Sequence, residues 1–117
     1  ALQGSDDKIL DAPGANKVIK ILEVSTYLDF DTAAFTFAQP ILIQYKSDGS
    51  GSPGTIATID KAFLQLAADA VYMAQPVSGR AGIDESILIS TSGAVGAGGN
   101  TTLKIKLRYQ VLDTANF

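Results

Sequence analysis

The feature that most constrains the fold of this chain lies in residues 101–113, where apolar and polar side chains alternate strictly from Leu103 to Val111. The apolar set is Leu103, Ile105, Leu107, Tyr109 and Val111, and the intervening set is Lys104, Lys106, Arg108 and Gln110. Side chains alternate between the two faces of a β-strand, whereas a helix would scatter these charges around its axis. We therefore predict a strand of about eleven residues, long against a usual five or six, with one apolar and one cationic face. We interpret it as the inner-sheet strand on which the core is built, in an antiparallel sheet with one solvated side.

The other segments also favour strands, joined by connections rich in turn-forming residues. Residues 17–30 are rich in Val, Ile, Thr and Tyr, and they predict a second long strand. Further elements are predicted as strands at residues 41–46, 70–75 and 86–91, and as a short helix over about 60–68. Residues 47–54 and 92–100 predict exposed connections, because turn-forming residues dominate them. The predicted fold class is all-β, an antiparallel jelly-roll-like β-sandwich with one short helix.

Length and composition predict one folded domain with an extended arm. A chain of 117 residues with 46% apolar residues falls in the usual range of a folded single domain. Residues 1–16 are polar and turn-rich, and we expect an extended N-terminal arm that is mobile unless a partner holds it. Residues 17–117 form the predicted β-sandwich domain. Within it, Ile19 and Ile21 lie on an otherwise polar parity, so we expect the arm or another subunit to cover them.

Composition argues against most catalytic chemistry. The chain has no histidine and no cysteine, so it lacks the usual general base, the best nucleophile and any thiolate metal ligand. Two carboxylate pairs, Asp29 with Asp31 and Asp84 with Glu85, could serve acid–base chemistry or bind calcium. We interpret both pairs as loop carboxylates, because Asp is a common turn residue and neither pair has the spacing of a known calcium loop. We predict a protein that is not an enzyme, with no catalytic residue, no cofactor and no metal.

Charge and hydropathy restrict the kinds of partner that we expect for this chain. A net charge of −3 has the wrong sign for nucleic-acid binding, and no apolar run approaches the roughly 20 residues of a membrane span. The cationic stripe, which we define as Lys104, Lys106 and Arg108, is typical of a solvated sheet face or of a protein interface that meets an acidic neighbour. Aromatic side chains could stack on sugars, although in a small sandwich they are more often core; they are Phe35, Phe37, Tyr45, Tyr72 and Phe117.

Three segments carry a resemblance to known proteins. They are residues 13–19, which open the second long strand, residues 28–35, which close it, and residues 98–113, which contain the alternating strand. Together they resemble small virion proteins of tailed bacteriophages, of the jelly-roll or related β-sandwich type. Members of that group decorate or cement the capsid, and others form the receptor-binding heads of tail fibres.

The resemblance implies a bacteriophage virion structural protein, most simply a capsid decoration or cement protein on the capsid surface, made in the host cytoplasm. Its implied partners are the major capsid protein and copies of itself, as a homotrimer in preference to a dimer. The alternative is a receptor- or carbohydrate-binding head domain of a tail fibre, with residues 47–54 and 92–100 as the site. A fibre head normally follows a long shaft, so decoration is favoured if 117 residues is the whole protein.

We expect the arm and one sheet face to make the contacts of such a protein. The predicted protein-interface residues are Leu2, Ile9, Leu10, Ile19, Ile21, Lys104, Lys106 and Arg108. Such contacts would stabilise the assembled shell in the same way that any ligand of one state stabilises that state.

Overall fold

A computed structural model of the chain describes residues 6–47, 49, 53–77, 79–91, 95–96 and 100–117. Its elements, in chain order, are β1 (Asp6–Leu10), β2 (Lys17–Asp29), β3 (Thr36–Phe37), β4 (Ile41–Tyr45), β5 (Gly54–Ile59), α1 (Lys61–Leu64), β6 (Ala70–Ala74), β7 (Ile87–Ser90), β8 (Val95–Gly96), β9 (Thr102–Asp113) and a final 3-10 turn (Thr114–Asn116). The molecule is elongated, with principal extents of 50 × 23 × 20 Å.

The strands pair into two main antiparallel sheets and one small ribbon. One main sheet has the order β1-β7-β4-β5, the other has the order β6-β2-β9, and β3 pairs with β8. The two main sheets enclose a core of aliphatic side chains that includes Ile19, Leu28, Ile43, Ile59 and Ile87. The structure confirms the predicted fold class, an all-β antiparallel β-sandwich with one short helix.

A β-bulge at Leu22 explains why apolar residues occur on both parities of the second long strand. Ile21 pairs with Tyr109 and Glu23 pairs with Arg108, so Leu22 is an extra residue in β2. Before the bulge the inward side chains are Ile19 and Ile21, and after it they belong to Val24, Thr26 and Leu28. One continuous inward face therefore changes parity once along the sequence.

Ile19 and Ile21 are core residues of the chain itself. Their side chains are 2% and 5% exposed, and both belong to the cluster between the two sheets. The Tyr45 hydroxyl, from the opposite sheet, donates a hydrogen bond to the Ile19 carbonyl oxygen. The opposing sheet, which includes residues of the predicted arm in β1, covers them, so these residues do not lie on an exposed interface.

β9 has the predicted alternation but lies at an edge of its sheet. Leu103, Ile105 and Leu107 pack against the core, and the cationic stripe points outward and is exposed. However, β2 is the strand that pairs on both sides, with β6 and with β9. The interpretation of β9 as the inner-sheet strand is therefore wrong. Because β9 has one neighbour, its apolar side chains are only half-buried, and Tyr109 and Val111 remain 48% and 47% exposed.

The predicted short helix is preceded by a strand and ends earlier than expected, at Leu64 instead of about residue 68. β5 pairs with β4 as an antiparallel hairpin and buries Ile56, Ala57 and Ile59. The β-branched residues of this segment favour a strand once β4 is available as a partner. α1 is left with Lys61–Leu64, and its Phe63 and Leu64 side chains are buried.

Part of the predicted N-terminal arm is a strand of the sandwich. β1 pairs with β7 at one edge of the four-stranded sheet. Its register shifts between Lys8 and Leu10, so that Ile9 is bulged and 37% exposed, while Leu10 packs against the core. Residues 1–5, which include Leu2, lie outside the described residues. The sandwich thus includes residues on both sides of the predicted boundary at residue 17.

Candidate interaction surfaces

Among the described residues, nine of the ten exposed large apolar side chains gather at three places, and Leu66 lies apart from them. Isolated ones are normal on a protein surface, whereas clustered ones mark contact sites. The three groups are Val77, Ile83 and Phe117 at one groove, Ile9, Tyr109 and Val111 at a second, and Tyr27, Val71 and Met73 on the outer face of the β6-β2-β9 sheet. We name these places the end groove, the edge groove and the outer face.

The end groove is an open cavity of about 840 Å³. Its apolar lining comes from the start of β2, the end of β9, the β4–β5 hairpin and the connection after β6; the main contributors are Val18, Leu22, Tyr45, Ile56, Pro76, Val77, Ile83, Leu112 and Phe117. Four segments distant in sequence therefore build one apolar surface.

Backbone hydrogen bonds fix the wall that carries Val77 and Ile83. The Val77 N–H donates to the Ile56 carbonyl over 2.8 Å, and the Asp84 N–H donates to the Lys17 carbonyl over 2.7 Å. The Asp84 carboxylate also accepts the Gly14 N–H over 2.9 Å. These bonds tie the two ends of the wall to β5 and β2. The predicted loop role of Asp84 agrees with this contact.

The polar groups of the end groove do not suggest acid–base chemistry. Its described lining carries two cationic side chains, Lys20 and Arg80, and no Asp or Glu side chain. Burial raises the pKa of the Tyr45 hydroxyl, which already donates to the Ile19 carbonyl. A neutral, hydrogen-bonded phenol is a poor base, so we interpret Tyr45 as part of the floor of the groove.

The edge groove lies between β1 and the end of β9. Its lining includes Ile9, Pro13, Ile19, Tyr109 and Val111, and its volume is about 330 Å³. Tyr109 and Val111 stand opposite Ile21 and Ile19 across the β2–β9 ladder, so they share the inward face of the sheet. They are nevertheless half-exposed, because the described chain places no strand beyond β9.

The outer face combines apolar and cationic side chains in cross-strand rows. Lys104, Tyr27 and Val71 form one row, and Lys106, Ser25 and Met73 form the next. The Lys104 ammonium lies 5.9 Å from the centroid of the Tyr27 ring. The nearby Asp69 carboxylate is the main cause that raises the pKa of Tyr27, with smaller contributions from burial and from Asp29.

Arg108 is the one member of the cationic stripe with a carboxylate opposite it. Its Nε lies 3.8 Å from Glu23 Oε2, and both side chains are more than half exposed. An exposed pair at this distance contributes little to stability. Within the described part of the chain, no carboxylate forms an ion pair with Lys104 or Lys106.

The predicted interface residues differ in their exposure to solvent. Ile9 and the cationic stripe are exposed, Leu10 is half-buried, Ile19 and Ile21 are buried, and Leu2 lies outside the described residues. Sequence reasoning missed Val71 and Met73, although apolar residues on both faces of a short strand were a usable signal. It also missed the end groove, which no local pattern indicates.

Most of the aromatic residues considered for sugar stacking are core residues. Phe37 and Tyr45 are buried, while Phe35 and Tyr72 pack against the core. Phe117 is 89% exposed beside the end groove. Much of the two loops considered for that site, residues 47–54 and 92–100, lies outside the described residues.

The described residues contain no group of three or more His, Cys, Asp or Glu residues that could hold a metal ion. None of the described helices combines the length and apolarity that crossing a membrane requires. No family model matches the chain, and neither a curated protein nor a solved structure matches it.

Proposed function

We propose that this protein is a bacteriophage virion structural protein, a capsid decoration or cement protein that binds copies of itself and the major capsid protein. The observation that carries the proposal is the end groove, where Val77, Ile83 and Phe117 are 63%, 56% and 89% exposed. An open apolar groove with an exposed apolar rim is typical of a surface that another protein covers. The virion assignment rests on the resemblance of residues 13–19, 28–35 and 98–113.

Such a protein acts by being present in many copies. Each copy makes weak contacts, and a lattice of sites replaces single-site affinity with high effective concentration. Binding to the assembled shell alone stabilises that shell by mass action. A body 50 Å long is suited to bridging neighbouring shell subunits.

Self-association follows from the same surface. The end groove is concave, and its rim carries the Phe117 side chain, which is 89% exposed. A closed ring of identical contacts would place the rim of one copy in the groove of the next, which is the heterologous geometry that generates trimers. We therefore expect a homotrimer in preference to a dimer.

Sedimentation velocity and pelleting with decoration-free capsids test this function. The variant Val77→Asp/Ile83→Asp places two charges on the rim, and it should be monomeric and should not pellet with particles. The matched control is Leu66→Asp, because Leu66 is 43% exposed and lies outside all three surfaces; it should behave as the wild type. A wild-type protein that is monomeric and leaves capsids undecorated would contradict the proposal.

A receptor- or carbohydrate-binding tail-fibre head is the second candidate. The observation that favours it is Phe117, an exposed aromatic ring beside a groove that also holds Arg80. An aromatic ring beside a cation is suited to an anionic sugar. Specific glycan-array binding that Phe117→Ala abolishes would move the assignment to this candidate.

A further inference from the structure

β9 carries a free edge of strand length. Each of its 12 residues has a partner in β2. No strand in the described ranges pairs with its other side. About half of the backbone N–H and C=O groups of an edge strand point away from its one neighbour, and such a row is a template for pairing with another chain. β9 therefore offers backbone hydrogen bonds to an extended segment.

The inward row of β9 is incompletely covered. Leu103, Ile105 and Leu107 are half-buried, and the row continues into Tyr109 and Val111 at 48% and 47% exposure. An added strand beside β9 would extend the inward face of the sheet and cover these side chains. Its own inward side chains must be apolar, because they would adjoin the core and the edge groove.

The outward-pointing side chains of β9 favour a partner with negative charge. Lys104, Lys106 and Arg108 are successive side chains of this outward row, and of the three only Arg108 has the Glu23 carboxylate nearby. The chain as a whole carries a net charge of −3, so this row is a local reversal of sign. A strand added beside it gains from acidic side chains at matching outward positions, because opposite charges across a strand pair are stabilising.

We propose that the β9 edge binds an extended segment of a partner protein in which acidic and apolar residues alternate. The segment adds as a fourth strand to the β6-β2-β9 sheet, with its carboxylates against the cationic stripe and its apolar side chains over Tyr109 and Val111. Backbone pairing supplies affinity, and the alternation supplies specificity. The surface differs from the end groove, so this inference does not depend on the proposed virion function.

A second copy of β9 fits this edge poorly. Two β9 strands paired antiparallel about a two-fold axis keep both outer faces on one side of the joined sheet. The cationic stripes of the two copies would then lie side by side, and like charges across a strand pair are destabilising. The charge pattern therefore selects a partner of opposite sign.

Synthetic peptides test the inference directly. The probe is a capped peptide of about ten residues in which valine alternates with glutamate, and the comparison peptide alternates valine with lysine. Amide chemical shifts and hydrogen exchange of the full chain, followed by NMR, should show binding of the glutamate peptide with slowed exchange in β9. Its dissociation constant should lie below about 1 mM and rise with salt.

Charge-reversal variants distinguish charge-specific recognition of the peptide from nonspecific binding. Lys104→Glu/Lys106→Glu should bind the glutamate peptide about tenfold more weakly and should gain binding of the lysine peptide. The matched control is Lys46→Glu/Lys61→Glu, because both lysines are exposed and lie outside this sheet; it should bind as the wild type. The neutral variant Lys104→Gln/Lys106→Gln should lose affinity for the glutamate peptide without gaining binding of the lysine peptide.

Three results would overturn the inference. One is the absence of binding by the glutamate peptide, which would mean that the lysines only protect the edge from pairing. Another is equal binding of both peptides, which would mean that charge selects nothing. The third is a footprint on the end groove in place of β9, and none of these results bears on whether the protein binds capsids.

Discussion

The two edge strands of the three-stranded sheet, β6 and β9, flank the same central strand. They differ in how well the rest of the chain covers their inward side chains. On the β6 side, Tyr72 packs with its ring centroid 5.2 Å from that of Phe63 in α1, and Ala74 is 6% exposed. On the β9 side no described element takes the place of α1, and Tyr109 is 48% exposed. A four-residue helix thus closes one edge. At the open edge, it is the inward side chains of β9 that keep surface for a partner.

Two leucines test the difference between the central strand and the open edge, with the largest expected effect. Leu28 is fully buried in β2, so Leu28→Ala should lower the free energy of unfolding by about 3–4 kcal/mol. Leu107 is half-buried in β9, so Leu107→Ala should cost about 1–2 kcal/mol. Urea denaturation measures both values. Equal losses would show that β9 is as enclosed as β2.

Two tyrosines at inward positions compare the edges directly. Tyr72→Ala should lower the free energy of unfolding by about 2–3 kcal/mol, because it removes a ring packed on Phe63. Tyr109→Ala should cost less than about 1 kcal/mol, because half of the side chain is already in water. Thermal unfolding of both variants checks the order. A larger loss for Tyr109→Ala would reverse the assignment of closed and open edges.

The central strand β2 carries a buried hydroxyl group, that of Thr26. Thr26 pairs with Tyr72 of β6 and with Ile105 of β9; it is fully buried, and its Oγ1 has no hydrogen-bond partner among the described residues. Thr26→Val should therefore raise the free energy of unfolding by about 1 kcal/mol, since it removes an unpaired polar atom.

Thr101 is the matched control for Thr26. Its hydroxyl donates to the Ala33 carbonyl over 2.7 Å and accepts the Asp31 N–H over 2.9 Å. Thr101→Val should lower the free energy of unfolding by about 1–2 kcal/mol, the opposite sign from Thr26→Val. Chemical denaturation of both variants checks the signs. A destabilised Thr26→Val would show that its hydroxyl is bonded.

The smallest effect is expected at Asp11, which lines the edge groove. A hydrogen bond from Lys8, 2.7 Å away, and the charge of that ammonium lower the pKa of the Asp11 carboxyl from its usual value. A lowered carboxyl pKa adds stability that is present above the unfolded pKa and lost as the pH falls through the folded value. An NMR titration should show an Asp11 midpoint that is lower in the wild type than in Lys8→Ala and that Lys46→Ala leaves unchanged. An Asp11 midpoint that does not rise in Lys8→Ala would contradict the contact.

The sequence predicted the class of fold because its longest strands have strong local patterns. The alternation in β9 and the β-rich composition of β2 indicated both strands and their antiparallel setting. β1 and β5 were missed, since a short strand is stabilised chiefly by the partner that pairs with it, and no local pattern shows that partner. The bulge at Leu22 was also beyond local reasoning, because it is defined by the register against β9.

The candidate surfaces were predictable only where they follow one strand. The cationic stripe lies on β9 alone, so its spacing was visible in the sequence. The end groove combines side chains from four separate segments, including Leu22, Ile56, Val77 and Phe117, which the fold brings together. Ile19 and Ile21 were misassigned for the same reason, since the sheet that buries them is distant in sequence.

Electron cryo-microscopy of decoration-free capsids, with and without added protein, is the most direct test of the claim that this sandwich functions by covering its exposed surfaces in a larger assembly. We expect extra density at symmetric positions on the shell, with the end groove in contact with a neighbouring copy. Bare shells at saturating protein, together with a monomer in solution, would contradict it.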